Sequence, residues 1–376
     1  RVQDAVLGRP LCCNPESKHH GCRFTFAEMF AGIGGFRLGL EPLGGHCVVA
    51  SEIDDAACHT YQTNHGSHGL VGDITCVYAN DLPDFDILVG GFPCQPFSKR
   101  GQQNGVLDDR GQLYQELVRL LNAKQPKAFL FENVTGIVEM DGGSRSGRGE
   151  PTCFRPGHTF KRILQAFQDC GYKVSWRVVN SRHWLPQYRE RVYIVGFRND
   201  LKQDMYWGLC GEQIVHKVCE ILEPSDSPSV LASELLPAQW CKILSQSKTI
   251  ESQNARAIPL DDKAPTLISS YHSITIFSTK YICEEVDGTL RDGVNKMPRF
   301  LTPRECCRLM GFPESFIIPD PGCCPHAVEW FYHQIGNAVC PPVIQSIAQN
   351  ILAILLGSTP YIRGPEETIV FGEAEF

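Results

Sequence analysis

Cys94 stands in Gly90-Gly91-Phe92-Pro93-Cys94-Gln95-Pro96-Phe97-Ser98, directly after the apolar run 85–89. At the carboxyl end of a parallel strand a thiol sits on the rim where open α/β sheets bind ligands. The flanking Pro93 and Pro96 fix backbone there rather than fill a core. That is a nucleophile's position, whereas a cysteine of an intracellular protein is ordinarily buried packing. Glu132, in Phe131-Glu132-Asn133-Val134 at the end of the apolar run 128–131, is the acid/base candidate. If the two runs are neighbouring strands, its carboxyl lies beside Cys94, and partial burial raises a carboxyl's pKa toward proton sharing. Standing alone, the same motif reads as a helix N-cap or first-turn acid.

A third constellation is Phe30-Ala31-Gly32-Ile33-Gly34-Gly35-Phe36, with Glu52 twenty residues after Gly32 at the end of the next apolar run. Glycines where a strand turns into a helix let backbone approach a nucleotide-like ligand, and a carboxylate at the second position accepts from ribose hydroxyls. The full dinucleotide spacing is missing, so S-adenosylmethionine suits the pattern better than NAD. A purely structural tight turn is the alternative. Asp73, after Gly72, is a candidate for the adenine amino group.

The elements that must position these residues are legible from periodicity. Strands are expected near 24–29, 46–51, 85–89, 128–131, 173–179 and 191–197, with helices at 36–43, 55–64, 112–122 and 159–170. This alternation predicts an α/β fold with a mostly parallel sheet. From about 199 to 298 the pattern breaks into short fragments punctuated by Pro224, Pro228, Pro237, Pro259 and Pro265, which predicts a second lobe. Helices return at 303–310, between Pro303 and Gly311, and from Pro341 through Leu355. The run 142–149 (GGSRSGRG) reads as a loop.

A chain of 376 residues with 43% hydrophobic composition builds a sizeable core and excludes overall disorder. Eighteen cysteines scattered along it, without a signal peptide, predict a reducing intracellular compartment rather than a disulfide scaffold. Apolar stretches such as 351–356 fall short of the roughly 20 residues of a membrane span. The start at Arg1 suggests a segment of a longer protein. With 35 basic against 42 acidic residues the net charge is -7, so polyanion binding must be local. Between 141 and 191 there are ten Lys or Arg against four acids, an excess of +6 that predicts one basic face. Cys12, Cys13, His19, His20 and Cys22, and later Cys323, Cys324 and His326, lack the paired spacing of structural zinc sites, so no metal is expected.

The ordered blocks FAGIGG, SEID, GDI, GGFPCQPFS, FENV, QYRERVYIVGF, RFLTPRECCRLMGFP and QIGNAVCPP resemble the DNA (cytosine-5)-methyltransferase family over residues 24 to 357. The resemblance implies a Rossmann-like S-adenosylmethionine-dependent methyltransferase domain plus a small target-recognition lobe, with DNA between them. It assigns 24–198 and 299–357 to the catalytic domain, the latter completing the cofactor pocket, 199–298 to the lobe, and 1–23 and 358–376 to irregular ends. It implies that Phe30, Gly32, Gly34, Glu52, Ile53, Asp73, Ile74, Pro93, Leu113, Asn337 and Val339 bind the cofactor.

It further implies that Cys94 adds to cytosine C6, that Glu132 serves N3 while Asn133 holds the loop, and that Arg189 and Arg191 reach the base O2 and a nearby phosphate. Ser98, Lys99, Arg100 and Gln187 would contact DNA, with 98–111 closing over it. The chain is expected to act as a monomer, away from membranes, in a nucleus or a bacterial cytoplasm. Two other functions compete: a transfer RNA cytosine-5 methyltransferase, against which the GGFPC block and the lack of a Cys-Phe-Thr signature speak, and a catalytically idle DNA-binding regulatory module, against which the intact catalytic set speaks.

Overall fold

The computed structural model describes residues 22–93, 113–146, 153–209, 216–246, 256–273, 280–283, 297–320, 322, 324 and 326–358. Its chain divides into two compact units, Arg1–Asn180 with Glu190–Gly211 and Pro341–Phe376, and Ser181–Arg189 with Glu212–Cys340. The division differs from the expected boundaries. Residues 299–340 group with the second unit, and the chain returns to the first only at Pro341, because the helix that begins there packs on the first unit's own elements.

In the first unit, strands β1 (Phe24–Met29), β2 (Gly45–Ser51), β3 (Leu70–Val71), β4 (Ile87–Gly90), β5 (Ala128–Val134), β8 (Tyr172–Asn180) and β9 (Glu190–Arg198) form one sheet in the order β3-β2-β1-β4-β5-β9-β8. The first five are mutually parallel, and β9 runs antiparallel to both β5 and β8. The central strands are apolar almost throughout, as strands covered on both faces must be. Helices α1 (Gly35–Leu40), α2 (Asp55–His65), α3 (Tyr114–Lys124), α4 (Gly136–Glu139) and α5 (His158–Asp169) connect them. Phe129, Phe131, Phe160, Phe167, Leu117 and Leu121 are packed in the core between sheet and helices. The expected loop 142–149 instead contributes Ser144–Ser146 (β6) to a hairpin with Cys153–Arg155 (β7).

Helix Pro341–Leu355 lies against α1, where Gly39 comes so close to Ile344 that a Cβ there would sit 2.8 Å from that side chain. Taken with the preceding helix, the segment Ala327–Leu355 is apolar and long enough to cross a membrane, but 72% of its most apolar window is buried within the protein.

The second unit holds helices Pro228–Ala232, Pro237–Gln246, Pro303–Met310 and Ala327–Asn337. Thr302 and Glu305 form a capping box at the start of Pro303–Met310, and Gly311, at φ 78°, ends it. Arg299 meets Glu305 through two bonds of 2.8 and 3.0 Å in a buried pair, and Glu305 also accepts from the backbone N–H of Thr302 and of Glu223.

Candidate active site

The strand order reverses at β1, whose neighbours β2 and β4 lead the chain to opposite sides, and this switch point is where an open α/β sheet binds its ligand. At the carboxyl end of β1 the chain turns through Phe30 and Gly32, both at φ 55°, and Gly34 at φ 87°. Left-handed backbone at Gly32 favours glycine, and a Cβ there would face open space, so the turn leaves room for a ligand. Ala31 N–H donates to the carbonyl of Ser51, tying the turn to the end of β2.

Glu52 follows β2. One of its oxygens accepts from Gly32 N–H at 2.7 Å, and the other accepts from the N–H of Ile53 and Asp54. Both turns thus share one carboxylate, and Ile53 beside it is 70% exposed. Asp73 caps the short turn Ile74–Cys76 by accepting from Thr75 N–H, and Ile74 is buried. Pro93 and Leu113 border the undescribed segment 94–112.

Beneath the glycine turn lies a polar cluster that sequence reasoning missed. Glu28 is fully buried in β1; its carboxyl accepts from Arg37 N–H in the first turn of α1 and from the Tyr61 hydroxyl, each at 3.3 Å. The first bond satisfies a helix N–H that would otherwise lack a partner. Burial pushes this carboxyl up to about 8. The Arg37 guanidinium and the Cys47 thiol also approach the Tyr61 oxygen. His65, at the end of α2, lies 3.3 Å from the carbonyl of Ile33, and its ring fills the place a Cβ on Gly34 would need. Burial, helped by Arg37, lowers its pKa to about 4, so it is neutral at pH 7. The signal available in the sequence was an acid in the middle of the apolar run FTFAEMF.

The carboxyl ends of β4 and β5 lie side by side, Gly90 opposite Phe131. Glu132 is 8% exposed and pairs with Arg191 of β9, Oε1 to Nε 3.0 Å. A Cβ on Gly91 would lie 3.4 Å from the other Glu132 oxygen. Asn133 donates from Nδ2 to the carbonyl of Phe92 and so binds the start of the Gly90–Ser98 segment to β5. Cys94, Ser98, Lys99 and Arg100 lie outside the described residues.

Arg189, expected at the target base, and Gln187, expected at the DNA, are 2% and 0% exposed, inside the second unit. Arg189 donates to the carbonyls of Leu267, Gly336 and Ala338, at 2.7, 3.1 and 2.8 Å. Gln187 donates to the carbonyl of Leu309 and accepts from Leu267 N–H. Buried carbonyls need donors, and these two side chains supply them. Asn337 is exposed and Val339 buried in the same unit.

Part of the expected basic face meets partners within the chain. Arg145 pairs with Glu190, Lys173 with Asp204 and Arg191 with Glu132, while Arg177 lies over the Trp207 ring. Arg155, Lys161 and Arg162 remain exposed. Among the described residues no group of three or more His, Cys, Asp or Glu is placed to hold a metal.

A profile of C-5 cytosine-specific DNA methylases matches residues 24–353. The chain is 35% identical over 336 residues to Type II methyltransferase M.DsaV of Dactylococcopsis salina, which spans 89% of this chain and 87% of that protein. It is 37% identical over 335 residues to Type II methyltransferase M.NlaX of Neisseria lactamica, spanning 88% and 97%. A crystal structure of S. pombe Dnmt2 methyltransferase shares the fold, with a TM-score of 0.66 at 19% identity over 89% of this chain and 99% of that one.

Proposed function

The chain belongs to the C-5 cytosine-specific DNA methylase family, and from that premise we propose that it methylates cytosine C5 in DNA through a covalent Cys94 adduct on a base swung out of the duplex. The methyl donor is S-adenosylmethionine. The open space at Gly32, the Glu52 carboxylate and exposed Ile53 fit such a ligand, and Phe30, Gly34, Asp73, Ile74, Pro93, Leu113, Asn337 and Val339 join them as proposed contacts. When bound, it supplies an electrophilic methyl on a sulfonium for the activated ring to take.

Cytosine C5 is a weak nucleophile, and the protein's residues must create its reactivity. The Cys94 thiolate forms a bond to C6, the ring electrons shift toward N3, and Glu132 gives N3 its proton, leaving an enamine whose C5 is nucleophilic. Once C5 has taken the methyl, whose bond to the sulfonium sulfur would break, N3 returns its proton to Glu132, the C5 proton is lost to water, the C5–C6 double bond re-forms, and the C6–S bond breaks to release the thiolate. Arg191, held on Glu132, orients that carboxyl and supplies positive charge. A thiol of ordinary pKa near 8.5 needs such charge to ionise.

C6 is stacked within a duplex, so the base must leave it. Ser98, Lys99 and Arg100 are the proposed phosphate contacts. With DNA as substrate, the protein acts inside the cell.

The observation that carries this reading is the pairing of β4 with β5, which sets Glu132 next to the backbone that leads into Cys94. Bisulfite sequencing of a plasmid from cells expressing the chain is expected to show methylcytosine that a Cys94→Ser variant does not produce. DNA carrying 5-fluorocytosine is expected to remain covalently attached in the mass spectrum. Methylation by Cys94→Ser at the unmutated rate would overturn the mechanism.

A further inference from the structure

We propose that Arg189 is a positioning residue for the cofactor, acting through the backbone around Asn337 rather than by touching the target base. Its guanidinium holds the carbonyls on either side of Asn337, those of Gly336 and Ala338, at 3.1 and 2.8 Å. A peptide unit is planar, so fixing these two oxygens fixes the planes that carry the Asn337 and Val339 N–H groups, and with them the direction of both side chains. The third bond, to the carbonyl of Leu267 at 2.7 Å, secures the same guanidinium to the segment Lys263-Ala264-Pro265-Thr266-Leu267.

That segment is itself immobilised by the stretch that carries Arg189. Gln187 pairs with Ala264 in a parallel bridge, Tyr188 N–H donates to the Ala264 carbonyl, Thr266 Oγ1 donates to the Tyr188 carbonyl, and Gln187 Oε1 accepts from Leu267 N–H. Gly336 crosses the following backbone so closely that a Cβ on it would lie 2.4 Å from the carbonyl carbon of Ile268. One buried arginine therefore locks two crossing segments, and the turn it locks is the one proposed to meet S-adenosylmethionine. The planar guanidinium can satisfy three carbonyls from one fixed position, which a lysine ammonium on its flexible stem reproduces poorly.

The inference rests on the cofactor role proposed for Asn337 and Val339, and the test separates the two. Binding of S-adenosylhomocysteine to the full chain without DNA is measured by calorimetry for the unmutated protein, Arg189→Lys, Asn337→Ala and the double variant, with the melting temperature recorded for each. Arg189→Lys is expected to weaken binding about tenfold and to raise KM for S-adenosylmethionine, with kcat at saturating cofactor within about twofold. Because the residue acts through Asn337, the two losses are expected to be non-additive, the double variant binding about as weakly as the worse single one.

Additive losses, or an affinity for S-adenosylhomocysteine unchanged in Arg189→Lys, would overturn the inference. So would a defect confined to KM for DNA, which would return Arg189 to the substrate side. If Asn337→Ala alone binds normally, the cofactor role of that turn fails and the inference falls with it; the single-variant binding curve identifies that case.

Discussion

At the scale of single residues, the proposed acid is Glu132, whose carboxyl is buried, paired with Arg191 and adjacent to Gly91. Glu132→Gln keeps the shape and a hydrogen-bonding end but has no proton to give to N3. Its kcat is expected to fall about 10²- to 10⁴-fold, the range for removing a general acid, with KM for S-adenosylmethionine nearly unchanged. Steady-state kinetics with tritiated cofactor checks this, and an equal rise in that KM would show that the carboxyl serves binding instead. The place of Glu132 in the fold was legible in the sequence because it follows an apolar run that pairs, as expected, with the run before Gly90. Arg189 was not. The resemblance sets Arg189 and Arg191 side by side as a pair, but the strand begins only at Glu190, and Arg189 belongs to the second unit, whose carbonyls it meets.

At the scale of elements, β1, α1 and α2 meet around Glu28, Arg37, Glu41, Cys47, Tyr61 and His65, directly under the glycine turn. Glu28 has a native pKa of about 8, against an ordinary value near 4.5, so between these pH values the folded protein keeps a proton that the unfolded chain has lost. Stability from this group is complete below the unfolded value and declines as pH rises toward the folded one. In Glu28→Gln that slope is expected to vanish. The unmutated protein should lose, relative to the variant, on the order of a few kcal/mol between pH 5 and pH 8 in urea unfolding, and parallel stability curves would refute the assignment. Apolar runs and caps made most of these elements readable, including Phe24–Met29 and Pro303–Met310. The two-residue β3 and the β6–β7 hairpin were not, since strands so short carry no period to detect.

At the scale of the molecule, composition and the alternation of runs announced an α/β chain with a second lobe, but not where the first unit resumes. The runs 303–310 and Pro341–Leu355 both read as helical, and only packing separates them: Val343, Ile344, Ile347, Ile351 and Leu355 are buried, in a helix set against α1. A chain ending at Cys340 is therefore expected to lose cooperative unfolding of its first unit by calorimetry, whereas retention of the full-length melting transition would show that the helix is dispensable.

The first unit is built from three separated stretches, and this imposes an order on its birth. A ribosome adding about 5–20 residues per second needs on the order of ten seconds to travel from Gly211 to Leu355. Throughout that interval the nascent sheet is already made while the groove beside α1 waits, uncovered and greasy, for the last helix to emerge. Chaperone capture during synthesis should therefore peak late, and ease only when the carboxyl-terminal turns leave the tunnel.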